Sequence, residues 1–153
     1  MPDAVELARL LLGYNEWANE RVLTAADDLS PARFDEQKRK FAHMLGTQRW
    51  WHAKWTGSEY AGDLLPETYP AMRTAYAASH SDLRSFADSL TDDVLERSER
   101  WWGNEQELSV GDLIVQVVNH GTQHRSEIAV AMTTHGCSPG DLDYLFYRVP
   151  SRG

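Results

Sequence analysis

The sequence predicts an all-α protein, a single domain over residues 1–153 built as a four-helix bundle, and three observations predict it. Apolar residues recur every three or four positions through four long segments, the spacing that places them on one face of a helix rather than on alternate faces of a strand. Each segment is bracketed by residues that start or stop helices: Asp3, Ser30-Pro31, Gly57, Pro70, Ser109 and Gly136. Helices of this kind, rising 1.5 Å per residue, reach about 30 to 40 Å, a length suited to side-by-side packing around one core.

The first helix, capped by Asp3, is expected to run to about Leu29, with Leu7, Leu11, Tyr14, Ala18, Ala25 and Leu29 recurring along it until Ser30-Pro31 breaks the pattern. The second is expected from Pro31 or Glu36 to Thr56, carrying Phe41, Met44, Leu45, Trp51 and Trp55, with its stop at Gly57. Gly62, Pro66 and Pro70 then mark a long crossover loop. The third helix, residues 71–90, aligns Met72, Tyr76, Leu83, Phe86 and Leu90. Residues 97–102 and 105–108, joined by Gly103-Asn104, read as a small hairpin between helices three and four, because Gly-Asn suits a two-residue turn. Ser109-Val-Gly-Asp112 is a capping signal that opens the fourth helix, which is expected to reach about His135 and to end at Gly136.

Composition excludes several function classes. Lys and Arg number 15 against 23 Asp and Glu, a formal net charge of −8 that repels phosphate backbones, and the one basic cluster, Gln37-Lys38-Arg39-Lys40, is too short to reverse it. No nucleic-acid partner is expected. The start of the chain lacks a basic leader, and no uncharged run approaches the roughly 18 residues of a membrane span. A single cysteine, Cys137, rules out an intramolecular disulfide and a cysteine-rich zinc site, which fits a reducing, cytoplasmic setting.

The chemistry is carried by histidine. His120 and His124 stand four residues apart, one turn apart on one helix face, and they fall inside the apolar stripe of the fourth helix with Val117 and Ile128. Two buried neutral imidazoles need partners for their ring nitrogens, and a shared cation supplies one for both. A single core histidine is more often a hydrogen-bonded structural residue, so the pair by itself divides evenly between metal and structure. A third ligand must come from His43, His52, His80 or His135. Periodicity favours His52, on the stripe of Phe41, Leu45 and Gln48, over His43, which points roughly opposite, near Trp50.

Three motifs in register, Tyr14-Asn15-Glu16-Trp17-Ala18-Asn19, His43-Met-Leu-Gly-Thr-Gln48-Arg-Trp-Trp51 and Asn119-His120-Gly-Thr-Gln-His124-Arg125, resemble the DinB/YfiT-like family of putative metalloenzymes, as does the terminal Pro139-Gly-Asp141-Leu-Asp143-Tyr-Leu. The resemblance covers nearly the whole chain. It implies an up-up-down-down bundle with a divalent metal on three histidines, here His43, His120 and His124, and it implies chemistry with low-molecular-weight thiols such as bacillithiol, mycothiol or glutathione. Many relatives carry an acid where this chain has Gln48, and a neutral amide cannot act as a general base.

The expected function is therefore a divalent-metal-dependent enzyme, a thiol S-transferase acting on a small electrophile, with zinc or nickel as the foremost ions among those imidazole accepts. A non-catalytic, stress-response bundle secured by its ion and a hydrolase using metal-bound hydroxide are the alternatives. Gln48, Trp50 and Arg125 are pocket candidates. Arg125 offers a clamp for a substrate carboxylate or a partner for Glu127 or Glu20, and Asn15 and Asn19 are expected to satisfy polar groups between helices. Trp17 and Trp51 are expected in the core, and Trp101-Trp102 over the pocket as a lid or on a partner surface. The abundance of tryptophan, together with the dimeric habit of related bundles, predicts a homodimer.

Overall fold

A computed structural model describes residues 1–60, 62, 66–101, 103 and 105–149. Helix α1 (Ala4–Ala26) starts where Asp3 Oδ1 accepts a hydrogen bond from the Glu6 amide at 2.8 Å. It ends three residues before Leu29. Asp27 and Asp28 place negative charge at the end where the helix dipole is already negative, and the last amides reach back only three residues, Asp27 to Thr24 and Leu29 to Ala26. Leu29 still packs against the core from the turn. The buried face is also rotated from the expected one: Leu7 is exposed, and burial follows Ala8, Leu12, Asn15, Asn19, Val22 and Ala26. That stripe is continuous only when the two asparagines are counted in it.

Helix α2 (Pro31–Thr56) has the expected bounds, with Ser30 capping the Arg33 amide and Gly57 closing the helix at φ 71°. Helix α3 (Tyr69–Asp88) starts before the expected Ala71, because Thr68 caps it and Pro70 is tolerated in a first turn, where a missing amide hydrogen removes no bond. Leu90 lies past the end of α3, yet it is buried. A five-residue helix, α4 (Asp92–Glu96), capped by Thr91, is too short to show a period.

Strands β1 (Ser98–Arg100) and β2 (Glu107–Ser109) form the expected antiparallel hairpin, in the register Ser98 to Ser109, Glu99 to Leu108 and Arg100 to Glu107. Residues 101–106 join them, a longer connection than a two-residue turn. Trp102 and Asn104 lie outside the described residues, while Gly103 takes φ 60°. Helix α5 (Val110–Thr134) opens on Ser109, whose Oγ accepts from the Asp112 amide at 3.0 Å, and Gly136 follows its end at φ 76°. A last turn of helix, α6 (Tyr144–Arg148), sets Tyr144 and Tyr147 edge-on against Tyr14 of α1.

Helices α3 and α5 each pack against both α1 and α2. Apolar side chains form one cluster around Leu12, Trp51, Trp55, Phe86 and Leu113 and another around Val22, Phe41, Tyr76 and Met132. Between the two, every long helix contributes buried polar residues: Asn15 and Asn19, Gln48, Ser79 and His80, and Arg125. Among the described residues no helix is long and apolar enough to cross a membrane.

Candidate metal centre

Helix α2 has two buried faces, because it packs against both α3 and α5. Phe41, Gln48 and His52 turn toward α3: the Phe41 carbonyl accepts from Tyr76 Oη at 2.6 Å, Gln48 donates to Ser79, and the His52 ring lies 6.3 Å from that of Phe86. His43 turns toward α5. Its Nε2 is 2.9 Å from Nε2 of His120, and its ring centroid lies 4.7 Å and 4.8 Å from those of His120 and His124. The structure thus brings His43, His120 and His124 together, with one ring nitrogen of each within 4.8 Å of the others, and leaves His52 on the far side of α2.

Three imidazoles at this spacing bring ring nitrogens close enough to share one ligand. Burial, and next the neighbouring His124 and His43, push the His120 imidazole down to about 4, so that it is neutral at pH 7. His124 Nδ1 is buried without a hydrogen-bond partner; Glu127 Oε2 stands 3.5 Å away, near enough for an ion pair with a charged ring, and 3.6 Å from Lys40 Nζ. A divalent cation fits this donor set, since it accepts the converging lone pairs and leaves the remaining ring nitrogens for outer partners such as Glu127.

A cavity of about 760 Å³ opens beside the cluster. His43 and His120 form part of its wall, with Trp50, Trp51, Tyr60 and Trp101 around them. Trp50, a pocket candidate, is thus among the lining residues. Trp51 serves both the core and the cavity, and Trp101 reaches the cavity from the hairpin. Trp17 packs against Tyr14 and Tyr147 instead, with the Arg21 guanidinium over its ring.

Gln48 and Arg125 do not line this cavity. They belong to the polar layer inside the bundle, where Arg125 is 1% exposed and has neither Glu127 nor Glu20 as a partner. Its Nη1 donates to Asn15 Oδ1 at 2.8 Å and Asn19 Oδ1 at 2.9 Å, and its Nη2 donates to Thr122. Both asparagines must then offer their Nδ2 groups, which donate to Gln48 Oε1 at 3.2 and 3.3 Å; Gln48 Nε2 in turn donates to Ser79 Oγ at 2.8 Å. Asn19 Nδ2 also meets His80 Nε2 at 3.1 Å, and His80 Nδ1 faces Glu20 Oε1, whose other oxygen accepts from Arg73. Desolvation lowers the pKa of Arg125 from its ordinary value.

Gly121, between the two histidines of α5, has a steric reason in this layer. A Cβ there would lie 2.6 Å from Arg125 Nη1 and 2.8 Å from Asn15 Oδ1. Ser79 and Gly121 are the residues around the site that sequence reasoning left unassigned; His80, a candidate third ligand, sits in the polar layer, and Glu127, a candidate partner of Arg125, faces His124 instead. The i,i+4 pair Asn15 and Asn19 is the pattern that marks the layer, once polar residues are allowed into a buried stripe.

A family model described as the DinB family matches residues 1–151. No curated protein and no solved structure matches the chain.

Proposed function

The chain belongs to the DinB family, and from that premise we propose that it is a divalent-metal-dependent enzyme: His43, His120 and His124 hold the ion, and a low-molecular-weight thiol is transferred to a small electrophile. The observation that carries an enzyme rather than a structural ion site is the cavity of about 760 Å³ walled by His43 and His120. A structural ion is enclosed by protein ligands, whereas a catalytic one keeps a position open to small molecules. The reading includes zinc or nickel as the ion, an up-up-down-down order of the long helices, a homodimer and a cytoplasmic setting.

Bound to three neutral imidazoles, the ion would supply Lewis acidity that lowers the pKa of a thiol or water at its open position. The chain's own residues do the rest. Trp50, Trp51 and Trp101 line the cavity beside the histidines and exclude water from the reacting atoms. Gln48 is a neutral amide engaged by Asn15, Asn19 and Ser79, so it removes no proton. In the transfer the thiol sulfur bonds to the electrophilic carbon, the leaving group departs with the bonding pair, and the thiol proton passes to solvent.

The test is turnover of simple electrophiles with bacillithiol, mycothiol, glutathione or cysteine, using metal-loaded and metal-free protein side by side. Turnover is expected to need both metal and thiol, to disappear in His43→Ala, His120→Ala and His124→Ala together with the metal, and to survive in Cys137→Ser. His52→Ala should retain the metal. Equal rates with and without metal, or metal-dependent hydrolysis indifferent to thiol, would overturn the transferase reading.

A further inference from the structure

A quarter of the chain is charged, yet none of the described residues lining the cavity is Asp, Glu, Lys or Arg. Its walls are Trp50, Trp51, Tyr60 and Trp101, with Leu108 and Leu113 between them and two neutral polar side chains, Thr47 and Gln116. The volume, about 760 Å³, lies in the range that encloses a drug-sized molecule. A charged group carried against these walls loses hydration and finds no counter-ion among the described lining residues, although Lys54 Nζ stands 5.7 Å from the Trp50 ring centroid. Flat apolar groups gain from the same aromatic faces by stacking and burial.

Aromatic walls alone also attract cations. Two features oppose that here. No carboxylate is found among the described lining residues, and an ion on the three histidines at one end would repel a second cation.

We propose that the cavity selects a ligand of two parts: an uncharged aromatic or branched apolar body against the tryptophans, and one electron-pair-donating head, a thiol or hydroxyl, directed at the histidine end. The head rests on the metal reading; the body rests on the walls alone. Trp101 and Leu108 enter from the β1–β2 hairpin, so that hairpin, rather than the four long helices, completes the selective wall. The polar, carboxylate-bearing part of a peptide-like or sugar-like thiol is left outside it.

The probes are three thiols with one head and different tails: 4-methylbenzyl mercaptan, 4-carboxybenzyl mercaptan and 4-(aminomethyl)benzyl mercaptan, titrated against intrinsic tryptophan fluorescence of the full chain, zinc-free and zinc-loaded. The neutral thiol is expected to bind at least about tenfold tighter than either charged one in both forms. Leu108→Asp, at an exposed hairpin position, should reduce neutral binding about tenfold, and Gln116→Lys should raise affinity for the carboxylate tail. The gain in Gln116→Lys cannot come from misfolding. Zinc should strengthen binding of all three thiols without changing their order. Equal affinities across the tails, or no response to both substitutions, would overturn the proposal whatever zinc does. An unchanged order of tails in a protein that binds no zinc would sustain the cavity's selectivity and overturn the metal reading.

Discussion

Two sets of polar side chains share the four long helices, and they are treated in opposite ways. In the layer around Arg125, each amide is oriented by the next: guanidinium to the two asparagine oxygens, asparagine nitrogens to Gln48, Gln48 to Ser79. Buried polar contact of this kind specifies one arrangement of the helices, because any slip leaves donors and acceptors without partners. Around His120 the nitrogens point at one another, His124 Nδ1 has no hydrogen bond, and a cavity opens alongside. One buried nitrogen of that layer, Arg125 Nε, also has no hydrogen-bond partner, but the rest of the chain of contacts is paired, and a paired network is architecture. Three ring nitrogens gathered within 4.8 Å of one another beside a cavity are where we propose an ion, and the two sets should respond to mutation in different observables.

The largest expected effect is on stability, in the closed layer. Arg125→Leu removes the guanidinium that donates to Asn15 Oδ1 and Asn19 Oδ1, each costing roughly 1 to 3 kcal/mol when orphaned in the interior, while it relieves part of the desolvation of a buried cation. The net loss should be about 3 kcal/mol by urea denaturation. Zinc stoichiometry in the folded fraction should remain that of the wild type. A variant that keeps its stability and loses its metal would show that Arg125 belongs functionally to the histidines, and the division would fail.

His43→Ala should do the reverse. His43 is exposed, so its removal should shift the stability of the metal-free protein by less than about 1 kcal/mol, while metal affinity falls about a hundredfold, or ~2.7 kcal/mol. Competition with a chelating dye measures the second quantity and denaturation the first. Destabilisation as large as that of Arg125→Leu would mean that the cluster, too, is architecture. Next in size is Glu127→Ala. Its carboxylate stands 3.5 Å from the unpartnered nitrogen of His124, and loss of an outer partner of a ligand histidine lowers metal affinity by about tenfold. Glu127→Gln should lie between the two, since an amide oxygen accepts a hydrogen bond without the charge.

How much of this contrast the sequence reveals depends on what a periodicity count admits. The four long helices are legible because their caps and apolar spacing agree, and Ser30, Gly57, Ser109 and Gly136 act where they stand. The buried face of α1 is misread through Leu7, because counting apolar residues alone steps over Asn15 and Asn19, which are the centre of that face. Periodicity alone misplaces the third histidine for a related reason. Periodicity assumes one buried stripe per helix, while α2 has two, so His52 looked inward and His43 looked stray; only the resemblance favoured His43, the residue the structure brings to the pair. Helices of five residues, α4 and α6, carry too few positions to display any period. The partners of Arg125 were illegible because its hydrogen bonds run to residues 106 and 110 positions away.

The smallest effect concerns protons. The His120 imidazole has its pKa lowered in the folded, metal-free protein from 6.5 to about 4, by burial first and then by His124 and His43. Above pH 6.5 the ring is neutral folded and unfolded alike and contributes nothing to the pH dependence. Between 6.5 and about 4 the unfolded chain binds a proton that the folded one refuses, so stability falls as the pH drops through that window and levels off beneath it. Because the ring is half-buried and screened by solvent, the loss should stay below about 1 kcal/mol. His80, also lowered mainly by burial, contributes in the same direction, so the wild type alone does not isolate His120. The difference between wild type and His120→Gln does: urea midpoints at pH 7.5, 6, 5 and 4, without metal, should diverge, with the wild type losing more on acidification. Parallel curves would show that the cluster already accommodates a proton at low energetic cost, and His43, His120 and His124 would then no longer be distinguishable from the hydrogen-bonded chain around Arg125.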